Sequence, residues 1–106
     1  MHKLALVVLI PLAGLSAIAY AADTTIRQKG RVFSSESITI KKGDTVTFLN
    51  DDNLPHNIAS TSSGNEFNLG SQAPGAQTPV TFKQAGEVKV ICAIHPRMKM
   101  TVTVTD

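Results

Sequence analysis

The sequence predicts an all-β fold, a single-domain Greek-key sandwich or barrel, and three observations carry that expectation. Apolar residues alternate with polar ones at period two in run after run. The runs are short and are split by turns that carry glycine or proline. No segment shows a helical stripe of useful length. A chain of 106 residues is enough for one domain, and no internal repeat or second domain is visible in it.

The first 21 residues stand apart from this pattern. His2-Lys3 gives a short basic start, Leu4 to Ile18 is almost wholly apolar, and Ala19-Tyr20-Ala21 is a small-x-small site. Residues 1–21 therefore read as a secretory signal peptide cleaved before Ala22. The apolar run falls short of the ~20 residues of a spanning helix, and Pro11 would bend it. The domain then occupies residues 22–106. Its net charge is close to zero once Lys3 is gone, and it has no basic block to suggest nucleic acid.

Within the domain, Ile26 to Phe33 is expected to supply the first strand. Ile38-Thr39-Ile40 follows and ends in the turn Lys41-Lys42-Gly43-Asp44, after which Val46-Thr47-Phe48 forms the next strand. Residues 60–78, rich in Ser, Gly, Asn and Gln, read as a long loop with one short strand near Phe67. Val80-Thr81-Phe82 leads to Gln84-Ala85-Gly86, then Val88 to Cys92, and Val102-Thr103-Val104 comes last. Alternation puts Val88, Val90 and Cys92 on one face, the core face. Cys92 should thus point inward at the end of a strand, with His95 already in the loop beyond.

The chemistry concentrates in that loop. Cys92-Ala93-Ile94-His95-Pro96-Arg97-Met98 places a thiolate, an imidazole and a thioether within seven residues, and His56 lies upstream in Leu54-Pro55-His56-Asn57. Two imidazoles and a thiolate with a weak, distant methionine sulfur are the ligand set of a blue-copper electron-transfer centre. Such a set tolerates both copper oxidation states, and a fixed geometry leaves little to rearrange when the electron moves. The cysteine is the sole one in the chain, so no intrachain disulfide can staple this small domain. An unpaired cysteine in an exported protein is a liability or a ligand, and metal binding would also stabilise the fold. Met98 and Met100 compete for the axial place. Met100 shares its face with Val102 and Val104, which suggests a core role and leaves Met98 as the preferred axial donor.

Other chemistries fit less well. Structural zinc takes four Cys or His ligands, and catalytic zinc keeps an open position. A thiol hydrolase needs a partly exposed cysteine and a third residue orienting its base. A multicopper oxidase needs a trinuclear cluster of histidines, and this chain has three histidines in all, His2 among them. Lys41-Lys42 and Asp51-Asp52 read as solvated turn residues.

Taken together, Ile38-Thr-Ile-Lys-Lys-Gly43-Asp44-Thr-Val46-Thr-Phe48-x-Asn50, Pro55-His56-Asn57 and the Cys92 loop resemble a small cupredoxin of the plastocyanin/amicyanin family. The resemblance covers nearly all of residues 22–106. It implies that His56, Cys92 and His95 bind one copper ion, with Met98, four residues before Val102, as the axial ligand. It also implies that Asn57 ties the two ligand loops together. Val88 and Val90 stand where the family has aromatic residues, Ile94 and Arg97 where proline and an aromatic are frequent, and Met100 replaces a common glycine. The expected role is that of a soluble, monomeric, periplasmic carrier that cycles between Cu(I) and Cu(II), with no enzymatic activity. It would dock near His95 with a redox donor and acceptor, and would bind neither nucleic acid nor, after signal cleavage, membrane. The alternative is a copper-handling protein that stores or buffers the metal.

Overall fold

A computed structural model describes residues 22–106; the signal peptide expected over residues 1–21 lies outside the described residues. Nine strands follow one another: β1 (Asp23–Lys29), β2 (Val32–Phe33), β3 (Ser37–Lys41), β4 (Thr45–Asn50), β5 (Ile58–Ser60), β6 (Phe67–Asn68), β7 (Gln77–Thr81), β8 (Gly86–Cys92) and β9 (His95–Thr105). They form a four-stranded sheet in the order β2-β1-β4-β7 and a five-stranded sheet in the order β3-β9-β8-β5-β6. The chain crosses between the sheets repeatedly. As a result β1 lies parallel to β4 and β3 parallel to β9, while the other pairs are antiparallel. The all-β sandwich expected from the alternation is the fold observed.

The alternation works because each sheet has one face on the core. In β4, Val46, Phe48 and Asn50 are wholly buried while their neighbours are half-buried; in β8, Val88, Val90 and Cys92 take the inner face. Phe48 packs edge-on against Phe33, and Phe67 packs edge-on against Phe82, so rings from both sheets fill the middle of the sandwich. Each fully buried Val, Ile or Phe side chain contributes about 1.5–3 kcal/mol, which makes this one core the main support of a small domain.

Three strands depart from expectation, each for a local reason. The first run breaks after Lys29 because Gly30 and Arg31 both adopt positive φ (64° and 58°) and form a two-residue turn. Lys29 then pairs with Val32, and two positive-φ centres match the twist of a hairpin. β5 has no alternation to betray it: Ile58, Ala59 and Ser60 are all buried between β6 and β8. β9 begins at His95, well before Val102, so the expected seven-residue loop is a hairpin whose turn is only Ala93-Ile94. A register shift between Ile91 and Cys92 lets Cys92 pair directly with His95.

These features assemble one pole of the sandwich. The ends of β1 and β4 meet there, with Gln28 opposite Asn50, as do the start of β5 and the end of β8, with Ile58 opposite Cys92.

Candidate metal centre

His56 sits between β4 and β5 and is locked by its backbone. Its N–H donates to the Gln72 carbonyl (3.1 Å), and its carbonyl accepts from the Gln72 N–H (2.7 Å). Gln72 is itself buried, and its side-chain amide donates to the Phe48 carbonyl (2.7 Å), so the bridge is anchored to β4. Asn50, at the end of β4, closes the segment from below. Its amide donates to the carbonyls of Leu54 and Gln72, both at 2.9 Å, and its oxygen accepts from the Asp52 N–H at 3.0 Å.

The His56 ring is wholly buried and meets the inward-facing Cys92 at the end of β8. His95, half-buried, approaches from the other arm of the hairpin. Cys92 Sγ lies 3.6 Å from His56 Nδ1 and 3.6 Å from His95 Nδ1. The two rings stand nearly edge to face, with centroids 5.2 Å apart. All three donor atoms lie within 4.8 Å of one another. Bonds of about 2.0 Å to nitrogen and 2.3 Å to sulfur, meeting near 120°, would hold those atoms about 3.7 Å apart. The triad therefore fits one first-row metal ion, and its soft-plus-imidazole character suits copper.

The sulfur is held by more than its own strand. The Asn57 N–H donates to Cys92 Sγ (3.3 Å), and the Asn57 carbonyl accepts from the Ala93 N–H (2.7 Å). Asn57 does join the two ligand segments, but it does so with its backbone. Its side chain turns to Asn68 on β6 (2.8 Å).

Two expectations are corrected here. Asp52 is not a solvated turn residue: its side chain is 10% exposed, and its carboxylate accepts from His56 Nε2 at 2.7 Å. Oδ1 also accepts from the Gly30 N–H, and Oδ2 from the Arg31 N–H. Burial works against ionisation of this carboxyl, yet the bonds from His56, Gly30 and Arg31 outweigh it and hold its pKa below the usual carboxylate value. An ionised carboxylate can only accept, so the proton sits on His56 Nε2 and leaves Nδ1 free to face the sulfur.

The second correction concerns the methionines. Met98 lies inside β9, and Met98, Met100, Val102 and Val104 all share the buried face. Alternation therefore cannot separate the two. Depth along the strand does: Met100 pairs with Val90 in the core, whereas Met98 is one inward step nearer the Cys92–His95 pair. The roles of Asp52 and Gln72 were missed in the sequence: the amides that seat Asp52 and the Phe48 carbonyl that anchors Gln72 lie more than twenty residues away along the chain.

Comparison with known proteins points the same way. The model of the family described as copper binding proteins, plastocyanin/azurin family, matches residues 20–105. The chain is 35% identical over 83 residues to a plastocyanin of Scenedesmus fuscus, a match covering 70% of this chain and 85% of the relative. It is 32% identical over 75 residues to an amicyanin of Paracoccus versutus, covering 68% of this chain and 57% of the relative. Among solved structures, a purple cupredoxin from Nitrosopumilus maritimus superposes with a TM-score of 0.70 at 30% identity, over 78% of this chain and 100% of that one.

Proposed function

We propose that this chain, which belongs to the plastocyanin/azurin family of copper-binding proteins, carries single electrons between two redox proteins. Its ligands are His56, Cys92 and His95, with Met98 as a weak axial donor. The observation that carries the reading is the convergence of one buried cysteine sulfur and two imidazole Nδ1 atoms at a single pole, each Sγ–N separation being 3.6 Å. Bound there, copper supplies a one-electron couple at a potential set by its ligands and their surroundings.

The chain's own residues do the rest. The bridge to Gln72 and the bonds of Asn50 and Asn57 hold the donors in place, so that a change of charge need not move them. Burial of His56 and Cys92 keeps water from the sulfur. His95 alone of the three reaches the surface, and its ring edge is the route for the electron. Around it Pro55, Ile94 and Pro96 are exposed and Leu54 is half-buried, an apolar ground suited to brief docking, with exposed Arg97 and Lys99 to draw an acidic partner. Residues 1–21 act as the signal peptide that takes residues 22–106 to the periplasm as a monomer. The matched plastocyanin and amicyanin favour the carrier over the copper-handling role.

The test is a visible spectrum after adding Cu(II) to the purified chain, followed by a redox titration. Strong thiolate-to-copper charge-transfer absorption, bleached and restored by one electron, is expected, and Cys92→Ser should abolish it. A protein that stays colourless with excess copper would refute the proposal.

A further inference from the structure

We propose that Asp52 is a positioning residue for the copper site: with the β1–β2 turn it clamps His56 from behind and lowers the site's reduction potential. The inference rests on His56 being a copper ligand. It goes beyond the ligand set, because the clamp reaches a hairpin that carries no ligand.

The geometry is specific. The His56 ring is 0% exposed, so water cannot satisfy Nε2, and Asp52 Oδ2 meets that nitrogen at 2.7 Å. The carboxylate is in turn seated on two successive backbone N–H groups, Gly30 to Oδ1 at 2.6 Å and Arg31 to Oδ2 at 3.2 Å. Successive backbone N–H groups of a turn can form a concave anion seat, and Gly30 and Arg31, both at positive φ, make such a turn. Arg31 is the one non-glycine residue with positive φ among the described residues, and its amide is one of the two seating the carboxylate. Asn50 fixes the Asp52 backbone as well, its oxygen accepting the Asp52 N–H at 3.0 Å. One carboxylate thus joins the β1–β2 turn, the end of β4 and the His56 ring.

Two effects on the centre follow. A charge-assisted bond at Nε2 fixes the ring's orientation and tautomer, with Nδ1 left as the donor, and makes the imidazole a stronger donor. A fixed anion behind the ligand also favours the more highly charged oxidised metal. Both effects lower the potential.

The decisive variant is Asp52→Asn, which keeps the shape and removes the charge. In the copper-loaded chain it should raise the reduced-to-oxidised ratio at a fixed applied potential about tenfold, ~59 mV for a one-electron couple. An unchanged potential with the blue absorption intact would overturn the proposal. Asp51→Asn removes a neighbouring exposed carboxylate that pairs with Arg27 rather than with the ring, and should shift the potential far less. A shift as large as that of Asp52→Asn would make the effect one of general surface charge and overturn the clamp. Nitrogen-15 spectra of the copper-free wild-type chain give a readout that needs neither variant. A single Nε2–H tautomer of His56 with a slowly exchanging proton is expected; an Nδ1–H tautomer or a freely exchanging ring would overturn the proposal. Failure of the wild-type chain to bind copper would sink the carrier reading, and the nitrogen spectra would still decide the clamp.

Discussion

Asn50 is wholly buried and makes three side-chain hydrogen bonds, two to the backbone just before His56 and one to the carbonyl of Gln72, which pairs with His56. Asn50→Ala would leave the buried Gln72 carbonyl and the half-buried Leu54 carbonyl and Asp52 amide without that partner. A loss of about 2–3 kcal/mol is expected in urea denaturation of the copper-free chain. The methionines give a second test at this scale. Met98→Leu should keep the metal and raise the reduction potential, with about a tenfold change in the reduced-to-oxidised ratio, ~59 mV. Met100→Leu, a swap of similar volume inside the core, should leave the potential nearly unaltered; the reverse pattern would move the axial role to Met100. The cluster of His56, Cys92 and His95 was legible in the sequence because donor chemistry is a property of the residue, and two of the three fall within one short stretch. Asp52 was not. Next to Asp51 it looks like any turn residue, and the amides that seat it lie 22 and 21 residues upstream.

The β8–β9 hairpin carries two of the donors and the exposed ground beside them. Its turn is two residues long, and Ile94 there is 51% exposed. Arg97 and Lys99 point outward on β9 while Met98 and Met100 point in, so one strand supplies both the charges proposed to steer a partner and the proposed axial donor. Ile94→Glu or Arg97→Glu should slow transfer to an acidic partner about tenfold at low ionic strength, with the Arg97→Glu effect fading as salt is added. Stopped-flow rates across a salt series check this, and unchanged rates at low salt would remove the docking surface from this hairpin. The long alternating elements were legible because a half-buried strand writes its period into the sequence, as β3, β4 and β8 do. β5 was hidden because it is buried on both faces. The break between β1 and β2 was hidden because a Gly-Arg pair does not announce a positive-φ turn as Asn-Gly would.

At the scale of the whole molecule, the two sheets share one core and the metal centre sits at one end of it, so metal binding and folding are coupled. A ligand held only by the folded state adds about 4 kcal/mol at a thousandfold excess over its dissociation constant. For a domain of this size each kcal/mol is worth about 4–8 °C. Chelating the copper should therefore lower the melting temperature by about 10 °C or more by calorimetry, and Cys92→Ser should melt at nearly the same temperature with and without copper. The sequence disclosed the sandwich but not its wiring, since alternation says which face is buried and nothing about which strand lies beside which. That wiring has a temporal consequence. His56 and Cys92 are 36 residues apart, and β3 must find β9 across the length of the domain, Ile38 beside Val102. Contacts so distant along the chain form late and slowly, after the entropy of closing long loops has been overcome. Before the chain collapses, His56 therefore lies far from the Cys92–His95 stretch, and the complete triad exists only once the sandwich has closed.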